Sequence, residues 1–284
     1  MTIADWLINA MTKLHDAGVD SPRRDSLVLL EDTLRKDRAW VVTHPEYEIP
    51  SDNLKEVNKL IKRRVQREPL AYIRGRAWFY GRFFNVNRDV MIPRPESESF
   101  ITLLKQTTDG YVKGSTFHII DVGTGSGCLA ITAKLEIPGA EVIAIDNSQK
   151  ALDIAKKNAR NHKVKIDFLN GDLLQPLLHS SFSVPRSTLM ANLPYVPAGL
   201  VTSPEITQEP AAALFSGQDG LNHYRQFFEQ IAKNSQFIRS MSVEYILTES
   251  LENQHGDVTQ LAKAAGYKLE KTEVLVQLFK ATRT

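Results

Sequence analysis

The sequence has few of the features that mark secreted, membrane-spanning or metal-binding proteins. Its single cysteine, Cys128, cannot form an internal disulfide or a multi-cysteine metal site, and its seven histidines show no ligand spacing. No apolar stretch reaches the roughly 20 residues of a membrane span. Met1–Ala10 lacks the basic-then-apolar run of a secretory signal. These absences predict a cytoplasmic, soluble protein without a bound metal and without a membrane partner.

The chain also lacks a strong excess of either charge. Its formal net charge of +2 is far from the clustered Lys and Arg of a dedicated nucleic-acid binder, although this balance alone excludes no partner. Hydrophobic residues make up 42% of the 284 residues and charged residues 24%, which is enough apolar material for a folded core. The length predicts one large domain with a small companion.

The first part of the chain has the periodicity of helices. Apolar residues recur at helical spacing from Ile3 to Leu14, and further amphipathic runs follow to about residue 70. Aromatic and β-branched residues then surround a Gly81-Arg82 turn, which predicts a hairpin. We therefore expect a helical domain over residues 1–75, a linking hairpin over 76–95 and a second domain over 96–284.

Beyond residue 115, strand-like and helical segments alternate. The predicted strands are 117–122, 141–146, 165–169, 187–191 and 243–248, with a closing pair within 267–281. The predicted helices are 126–136, 148–161, 219–234 and 254–265. This alternation predicts an α/β fold with a doubly wound, mainly parallel sheet and helices on both faces.

A glycine-rich loop follows the first of these strands. It reads Asp121-Val122-Gly123-Thr124-Gly125-Ser126-Gly127, with the spacing G-x-G-x-G and not the G-x-G-x-x-G of a dinucleotide site. The acid would repel a pyrophosphate but suits the ammonium of a methionine moiety, which favours S-adenosylmethionine over NAD. The next two strands end near Asp146 and Asp172, placed to accept from ribose hydroxyls and from the adenine amino group. One such loop alone would indicate only a nucleotide-like ligand, but three acids on successive strand ends favour this cofactor.

The fourth strand leads into a short polar turn, Asn192-Leu193-Pro194-Tyr195. An sp² nitrogen is a poor nucleophile, so an enzyme that methylates one must hold its N–H groups with acceptors. The Asn192 side-chain oxygen and the Leu193 carbonyl can do this, while Pro194 stiffens the turn and Tyr195 lies against a planar substrate. Taken alone, the tetrapeptide is equally typical of a structural turn. After the fourth strand of this chain, it predicts a methyl-acceptor site, and Asn192 also borders the cofactor.

Three longer stretches resemble those of one family, the protein N5-glutamine methyltransferases that modify the Gly-Gly-Gln motif of peptide-chain release factors. They are Arg67-Glu68-Pro69-Leu70-Ala71-Tyr72-Ile73, Ile92-Pro93-Arg94-Pro95-Glu96-Ser97-Glu98, and Glu209-Pro210 through Tyr224. The resemblance implies a class I S-adenosylmethionine-dependent methyltransferase fold, which is Rossmann-like, and a role in translation termination through protein methylation. It implies that the N-terminal helices recognise the release factor. It implies cofactor binding by Gly123–Gly127, Asp146 and Asp172, and glutamine binding by Asn192–Val196.

The sequence departs from this family at two places. The family usually has proline where this chain has Leu193, a change that keeps the backbone carbonyl but removes some turn rigidity. The family's late Leu-Glu-Ile-Gly segment is matched only loosely by Leu247-Thr248-Glu249-Ser250, so no role is assigned there. Arg94 and Glu96 fit the mouth of a substrate site and a rigid surface connector equally well.

Two other functions fit parts of the pattern. One is an adenine-N6 methyltransferase acting on RNA or DNA, because Asn-Leu-Pro-Tyr also resembles the motif of ribosomal RNA adenine dimethylases, which face the same chemical problem at an adenine amino group. Those enzymes begin with the cofactor domain, whereas here the helices come first, so no direct nucleic-acid substrate is expected. The other alternative is a binding module that keeps the cofactor fold but has lost catalysis, with Leu193 as its sign.

Overall fold

The computed structural model describes residues 1–108, 117–178, 186–200 and 203–282. The chain divides into two compact units, the first formed by Met1–Arg76 with Val201–Gln208, and the second by Ala77–Leu200 with Glu209–Thr284. No helix in the described ranges is long and apolar enough to cross a membrane.

The first unit is a helical bundle, as predicted. Its helices are α1 (Ile3–Asp16), α2 (Pro22–Leu34), α3 (Arg38–Thr43), α4 (Ser51–Val65) and α5 (Leu70–Arg74). The short helices α3 and α5 were not predicted. Their length of six and five residues leaves too few turns for a helical period to stand out. The apolar face of α1 is buried through Ile3, Trp6 and Leu14, so the spacing seen in the sequence is that of the bundle core.

A partly buried ion-pair network links distant parts of this unit. The Arg64 guanidinium donates to Asp25 Oδ2 at 2.8 Å and to Glu205 Oε1 at 2.9 Å. Arg67 donates to both Glu205 oxygens, at 2.6 and 2.7 Å. These hydrogen bonds hold the pKa of Glu205 down at about 2, although burial alone would raise it. Residues near 205 are therefore fixed to α4 despite their distance along the chain.

A two-stranded hairpin consists of β1 (Arg76–Phe79) and β2 (Arg82–Asn85). Its turn residues are Tyr80 and Gly81, with φ angles of +46° and +75°, the pattern of a type I′ turn. The sequence prediction placed the turn one residue too late, because Arg82 is already the first residue of β2 and only Gly81 carries a visible turn signal.

The second unit contains a seven-stranded sheet. Its strands are β3 (Phe117–Val122), β4 (Ala140–Asp146), β5 (Asp167–Asn170), β6 (Ser187–Ala191), β7 (Val243–Glu249), β8 (Tyr267–Glu273) and β9 (Val276–Ala281). They lie in the order β5-β4-β3-β6-β7-β9-β8. The pairs from β5 to β7 are parallel, and β9 is antiparallel to both β7 and β8. This confirms the predicted fold class.

Helices surround this sheet within the same unit. They are α6 (Ser99–Thr108), α7 (Cys128–Glu136), α8 (Gln149–Asn161), α9 (Gln175–Leu178), α10 (Ala211–Leu214), α11 (Asn222–Lys233), α12 (Ser235–Ser240) and α13 (His255–Ala264). Helices α6, α9, α10 and α12 were not predicted, and strand β5 begins two residues later than expected.

The central strands are buried on both faces. Every residue of β3 and β6 is buried, which is why apolar residues occupy successive positions in both strands instead of alternating with polar ones. Ile119 and Met190 belong to one core cluster, while their neighbours Ile120 and Leu189 belong to the other. The strand order reverses at β3. The chain first adds β4 and β5 on one side of β3 and then adds β6 on its other side. Ligands bind at such a reversal, beyond the carboxyl ends of the strands.

Candidate active site

The glycine loop after β3 depends on backbone conformations that side chains disfavour. Gly123, Gly125 and Gly127 have φ angles of +76°, +54° and +80°. A Cβ on Gly127 would lie 3.0 Å from the Ala155 Cβ and 3.1 Å from the Ile131 Cδ1. The loop therefore packs directly on helices α7 and α8 at a position where a side chain has no room.

The acid before the loop, Asp121, faces the loop's own atoms. Its side chain is buried, and Oδ2 accepts from Thr124 Oγ1 at 2.7 Å and from the Ala130 backbone N–H at 3.2 Å. Oδ1 is buried and has no hydrogen-bond partner in the part of the chain that the structure describes. Burial raises the pKa of this carboxyl to about 7. Asp121 thus ties the loop to the first turn of α7 and keeps one oxygen unsatisfied.

The acids after β4 and β5 have different surroundings. Asp146 accepts from the backbone N–H of Gly125 at 2.9 Å through Oδ2 and from that of Ser148 at 2.8 Å through Oδ1. Burial raises its pKa, although both hydrogen bonds act in the opposite direction. Asp172 is exposed and accepts from Gln230 Nε2 at 3.3 Å. Asp146 is therefore held in place by two backbone hydrogen bonds, whereas Asp172 keeps carboxylate lone pairs available to accept from a ligand.

One cavity of about 210 Å³ brings most of the predicted residues together. The predicted residues that line it are Gly123, Thr124, Gly125, Ser126, Asp146, Asp172, Asn192, Leu193 and Pro194. The predicted residues that are absent from its lining are Asp121, Gly127, Tyr195 and Val196. The cofactor loop and the acceptor motif therefore share one cavity, with Asp121 and Gly127 supporting its wall.

The acceptor motif begins directly after β6. The Asn192 Nδ2 donates to Ser97 Oγ at 3.0 Å and to Glu249 Oε2 at 3.3 Å. The Tyr195 hydroxyl donates to Glu249 Oε1 at 2.7 Å, so it faces this carboxylate. Leu193 is only 3% exposed and belongs to a core cluster; its Cδ2 lies 3.2 Å from where a Gly123 Cβ would be. Leucine at this position thus packs against the glycine loop.

The cavity also has walls to which sequence reasoning assigned no role. They are formed by Asp89, Val90, Met91, Pro93, Pro210, Ala212, Ala213 and His223. The buried Glu209 joins two of these segments, since its Oε1 accepts from Arg94 Nη2 at 2.5 Å and its Oε2 from the Ile92 N–H at 2.9 Å. Arg94 and Glu209 both lie in stretches that resemble the family, and this resemblance was the signal in the sequence for these cavity walls. Arg94 therefore helps to fix a cavity wall.

Cys128 lines the same cavity but has no feature of a reactive thiol. Burial raises its pKa to about 12, and the nearby Asp121 acts in the same direction. The thiol is therefore protonated at neutral pH and is a small packing residue here.

Comparison with known proteins matches both parts of the chain. A model of the PrmC N-terminal domain matches residues 5–75, and a model of the methyltransferase small domain matches residues 97–209. A release factor glutamine methyltransferase from Staphylococcus aureus is 36% identical over 236 residues, covering 79% of this chain and 81% of that protein. Another from Coxiella burnetii is 33% identical over 249 residues, covering 87% and 86%.

The chain belongs to the release factor glutamine methyltransferase family. It is accordingly a methyltransferase that depends on S-adenosylmethionine. Solved structures agree on the fold. The human methyltransferase 10 domain containing protein aligns with a TM-score of 0.50 at 16% identity, covering 71% of this chain and 89% of that one. The hMettl16 catalytic domain, in complex with a MAT2A 3′UTR hairpin, aligns with a TM-score of 0.51 at 12% identity, covering 70% and 74%. At such identities these structures show the fold alone.

Proposed function

We propose that this family member methylates the side-chain N5 of the glutamine in the Gly-Gly-Gln motif of peptide-chain release factors, and that the cavity beyond β3 and β6 is its active site. The observation that carries the proposal is that Gly123–Ser126 and Asn192–Pro194 line the same cavity. Two groups that must meet during methyl transfer, the donor's binding loop and the acceptor's binding turn, are thereby adjacent.

The residues present fit the cofactor. Asp121 Oδ1 is an unsatisfied buried oxygen beside the loop, and a cationic ligand nearby would compensate its charge. Asp146 uses one hydrogen bond on each oxygen, and the remaining lone pairs suit ribose hydroxyls. We assign the cofactor to the loop residues Gly123–Gly127 with Asp146 and Asp172. S-adenosylmethionine supplies an electron-poor methyl group on a sulfonium.

The acceptor side of the cavity suits a planar amide. The lone pair of an amide nitrogen is delocalised, so the nitrogen reacts only when it is held in the right orientation. Asn192 Oδ1 and the Leu193 carbonyl are two acceptors for its two N–H groups. Leu193 replaces the family's usual proline without removing that carbonyl, and its buried side chain holds the turn against Gly123. We assign the acceptor site to Asn192–Val196, with Tyr195 and Val196 as its frame.

We assign substrate recognition to the helical domain over residues 1–75, followed by the linker over 76–95 and the catalytic domain over 96–284. Two features support this assignment. The match to the PrmC N-terminal domain covers residues 5–75. Ile8 and Val42 of this unit are 66% and 47% exposed, and exposed apolar side chains are available to a protein partner.

The direct test is methyl transfer to a purified release factor. The protein is incubated with S-adenosylmethionine and the factor, and the tryptic peptides are analysed by mass spectrometry. We expect one methyl group on the glutamine of the Gly-Gly-Gln peptide and none when that glutamine is replaced by glutamate. A parallel incubation with ribosomal RNA tests the adenine-N6 alternative. Methylation of RNA alone, or of neither substrate, would overturn the proposal.

A further inference from the structure

Glu249 is a buried carboxylate directly beside the acceptor motif. It is the last residue of β7, and the residue before it pairs with Ala191, the last residue of β6. Its side chain is fully buried. The Tyr224 hydroxyl lies 2.9 Å from the Ala191 carbonyl oxygen and 2.5 Å from that of Glu249, and it accepts from the Glu249 N–H at 3.2 Å. The two strand ends are therefore tied together.

Three side chains converge on the Glu249 carboxylate. Tyr195 donates to Oε1 at 2.7 Å, and Asn192 donates to Oε2 at 3.3 Å. The Ser97 hydroxyl accepts from Asn192 Nδ2 at 3.0 Å, and it acts on this carboxylate by lowering its pKa. A buried charge is costly unless such partners satisfy it. Here those partners include the first and last residues of the Asn192–Tyr195 turn.

We infer that Glu249 is a positioning residue that fixes which way the Asn192 amide faces, and thereby presents Asn192 Oδ1 to the methyl acceptor. The inference rests on the proposed function and names a residue that acts through Asn192. An ionised carboxylate has no hydrogen to donate. It can therefore pair with the amide nitrogen of Asn192 but not with its oxygen, so Oδ1 is left on the opposite side of the planar group.

The orientation matters because the two ends of the amide have opposite chemistry. With Oδ1 turned to the acceptor, Asn192 receives a substrate N–H. With the amide reversed, its own N–H₂ would meet the substrate N–H₂, and Oδ1 would face the Glu249 carboxylate. Both contacts would be repulsive. Glu249 excludes the reversed state, and Ser97 alone cannot, because a hydroxyl both donates and accepts.

Protonation of Glu249 would remove this preference, since a carboxylic acid donates. Burial raises its pKa and the charge of Glu96 adds to this, while the hydrogen bonds from Ser97, Tyr195 and Asn192 lower it. Among the described residues, titratable groups coupled to this site include Tyr224 of α11 and Cys128 of α7, and Arg94 acts on Tyr195. The pKa values of Tyr195, Tyr224 and Cys128 are all raised, so all three groups are already protonated at neutral pH and do not change their protonation state as the pH falls.

The first test is Glu249→Gln, which keeps the shape and leaves an acceptor for Tyr195 but adds an N–H₂ that can hold Asn192 reversed. The measurements are the single-turnover rate on the release factor at saturating S-adenosylmethionine, and S-adenosylhomocysteine affinity by calorimetry. We expect the rate to fall about ten- to hundredfold with cofactor affinity unchanged. Glu252→Gln, the same change at an exposed residue three positions away, should keep the wild-type rate.

Two further readouts separate positioning from a merely structural role. The wild-type rate should fall as the pH drops through the raised pKa of Glu249. Because Asp121 and Asp146 titrate in both proteins, the readout is the ratio of the Glu249→Gln rate to the wild-type rate, which should rise as the pH falls. The second is a swap. In the double variant Asn192→Asp with Glu249→Gln, residue 192 has only acceptors and residue 249 supplies the donor. We expect this variant to be at least about tenfold faster than either single variant. If the two substitutions caused independent structural damage, their rate losses would combine and the double variant would be slower than either single variant.

The outcomes distinguish this inference from the function itself. If the wild-type protein leaves the Gly-Gly-Gln glutamine unmodified, the proposed function fails. If the wild type is active and Glu249→Gln matches it in rate and pH profile, only the positioning role fails. If Glu249→Gln does not fold, as judged by circular dichroism, the wild-type pH profile decides. A wild-type rate that does not fall at low pH would then overturn the inference.

Discussion

The backbone N–H of Gly125 donates to Asp146 Oδ2 at 2.9 Å, so the loop after β3 is fixed to the carboxylate that ends β4. Gly123 and Thr124 add backbone hydrogen bonds to the Ile145 carbonyl, both 2.9 Å long. Two groups that the sequence offers as separate cofactor ligands therefore form one rigid element. Asp146 organises the loop and faces the cavity at the same time.

Asp146→Asn should accordingly weaken cofactor binding. The amide has one acceptor oxygen where the carboxylate has two, so one of the hydrogen bonds from Gly125 and Ser148 is lost together with the charge. We expect the dissociation constant for S-adenosylhomocysteine, measured by calorimetry, to rise about ten- to hundredfold. Asp167→Asn is the control, because Asp167 is exposed and begins β5, at the end of that strand away from Asp146. It should leave the dissociation constant unchanged. Equal affinities for both variants would remove Asp146 from the cofactor site.

Gly127→Ala should both destabilise the protein and weaken cofactor binding. The added Cβ would lie 3.0 Å from Ala155 Cβ in a backbone conformation with φ +80°, so the loop must move. We expect a loss of about 1–3 kcal/mol in the free energy of unfolding by urea titration. Gly139→Ala is the matched control, because its Cβ would meet nothing within 4 Å. A Gly127 variant as stable as this control would contradict the packing described here.

Asp121→Asn should change how stability depends on pH. The pKa of Asp121 is raised to about 7. Its contribution to stability is therefore fully present below the ordinary carboxyl pKa and is lost as the pH rises through about 7. Asparagine cannot ionise. In ligand-free urea unfolding, we expect the variant to gain on the order of 1–3 kcal/mol relative to wild type between about pH 5 and about pH 8.

The difference in the free energy of unfolding between Asp121→Asn and wild type isolates Asp121, because Asp146 and Glu249 titrate in both proteins and their contributions cancel. A constant offset between the two proteins across this range would show that Asp121 does not titrate there.

Ile8→Asp tests the assignment of the helical unit. Ile8 is 66% exposed, so the change should leave the fold intact while placing a charge on the proposed protein-binding surface. We expect the KM for the release factor to rise at least about threefold at an unchanged kcat. Val274→Asp, at a 59% exposed residue of the second unit, is the control. Equal KM values for both variants would place recognition elsewhere.

The structural features that can be predicted from the sequence are those that depend on residues close together in the chain. Strands β3 and β6 have apolar residues at successive positions because both of their faces are buried. The glycine spacing marks the loop that needs positive φ angles. Glu249 gave only a weak signal, the loose match of Leu247-Thr248-Glu249-Ser250 to a family segment, which assigned it no role. It closes an apolar strand, and its role arises only because β7 lies next to β6 in the sheet, which places it beside Asn192 more than 50 residues away along the chain.

Short helices and the hairpin turn also lack a local signal in the sequence. Tyr80 has a positive φ angle, which a tyrosine side chain does not indicate. The sequence therefore predicts the turn at Gly81-Arg82, one residue too late. Helix α12 has six residues, too few to show a period. Such elements are stabilised by their tertiary contacts and not by a pattern in their own sequence.

The central claim is that Asn192 serves the methyl acceptor at a cofactor site built by other residues, and Asn192→Ala tests it most directly. The measurement is the single-turnover rate of glutamine methylation, paired with S-adenosylhomocysteine affinity and with Asn161→Ala, an exposed residue at the end of α8, as control. We expect the rate to fall at least about hundredfold while the affinity stays within about twofold. A variant that methylates at the wild-type rate would contradict the account.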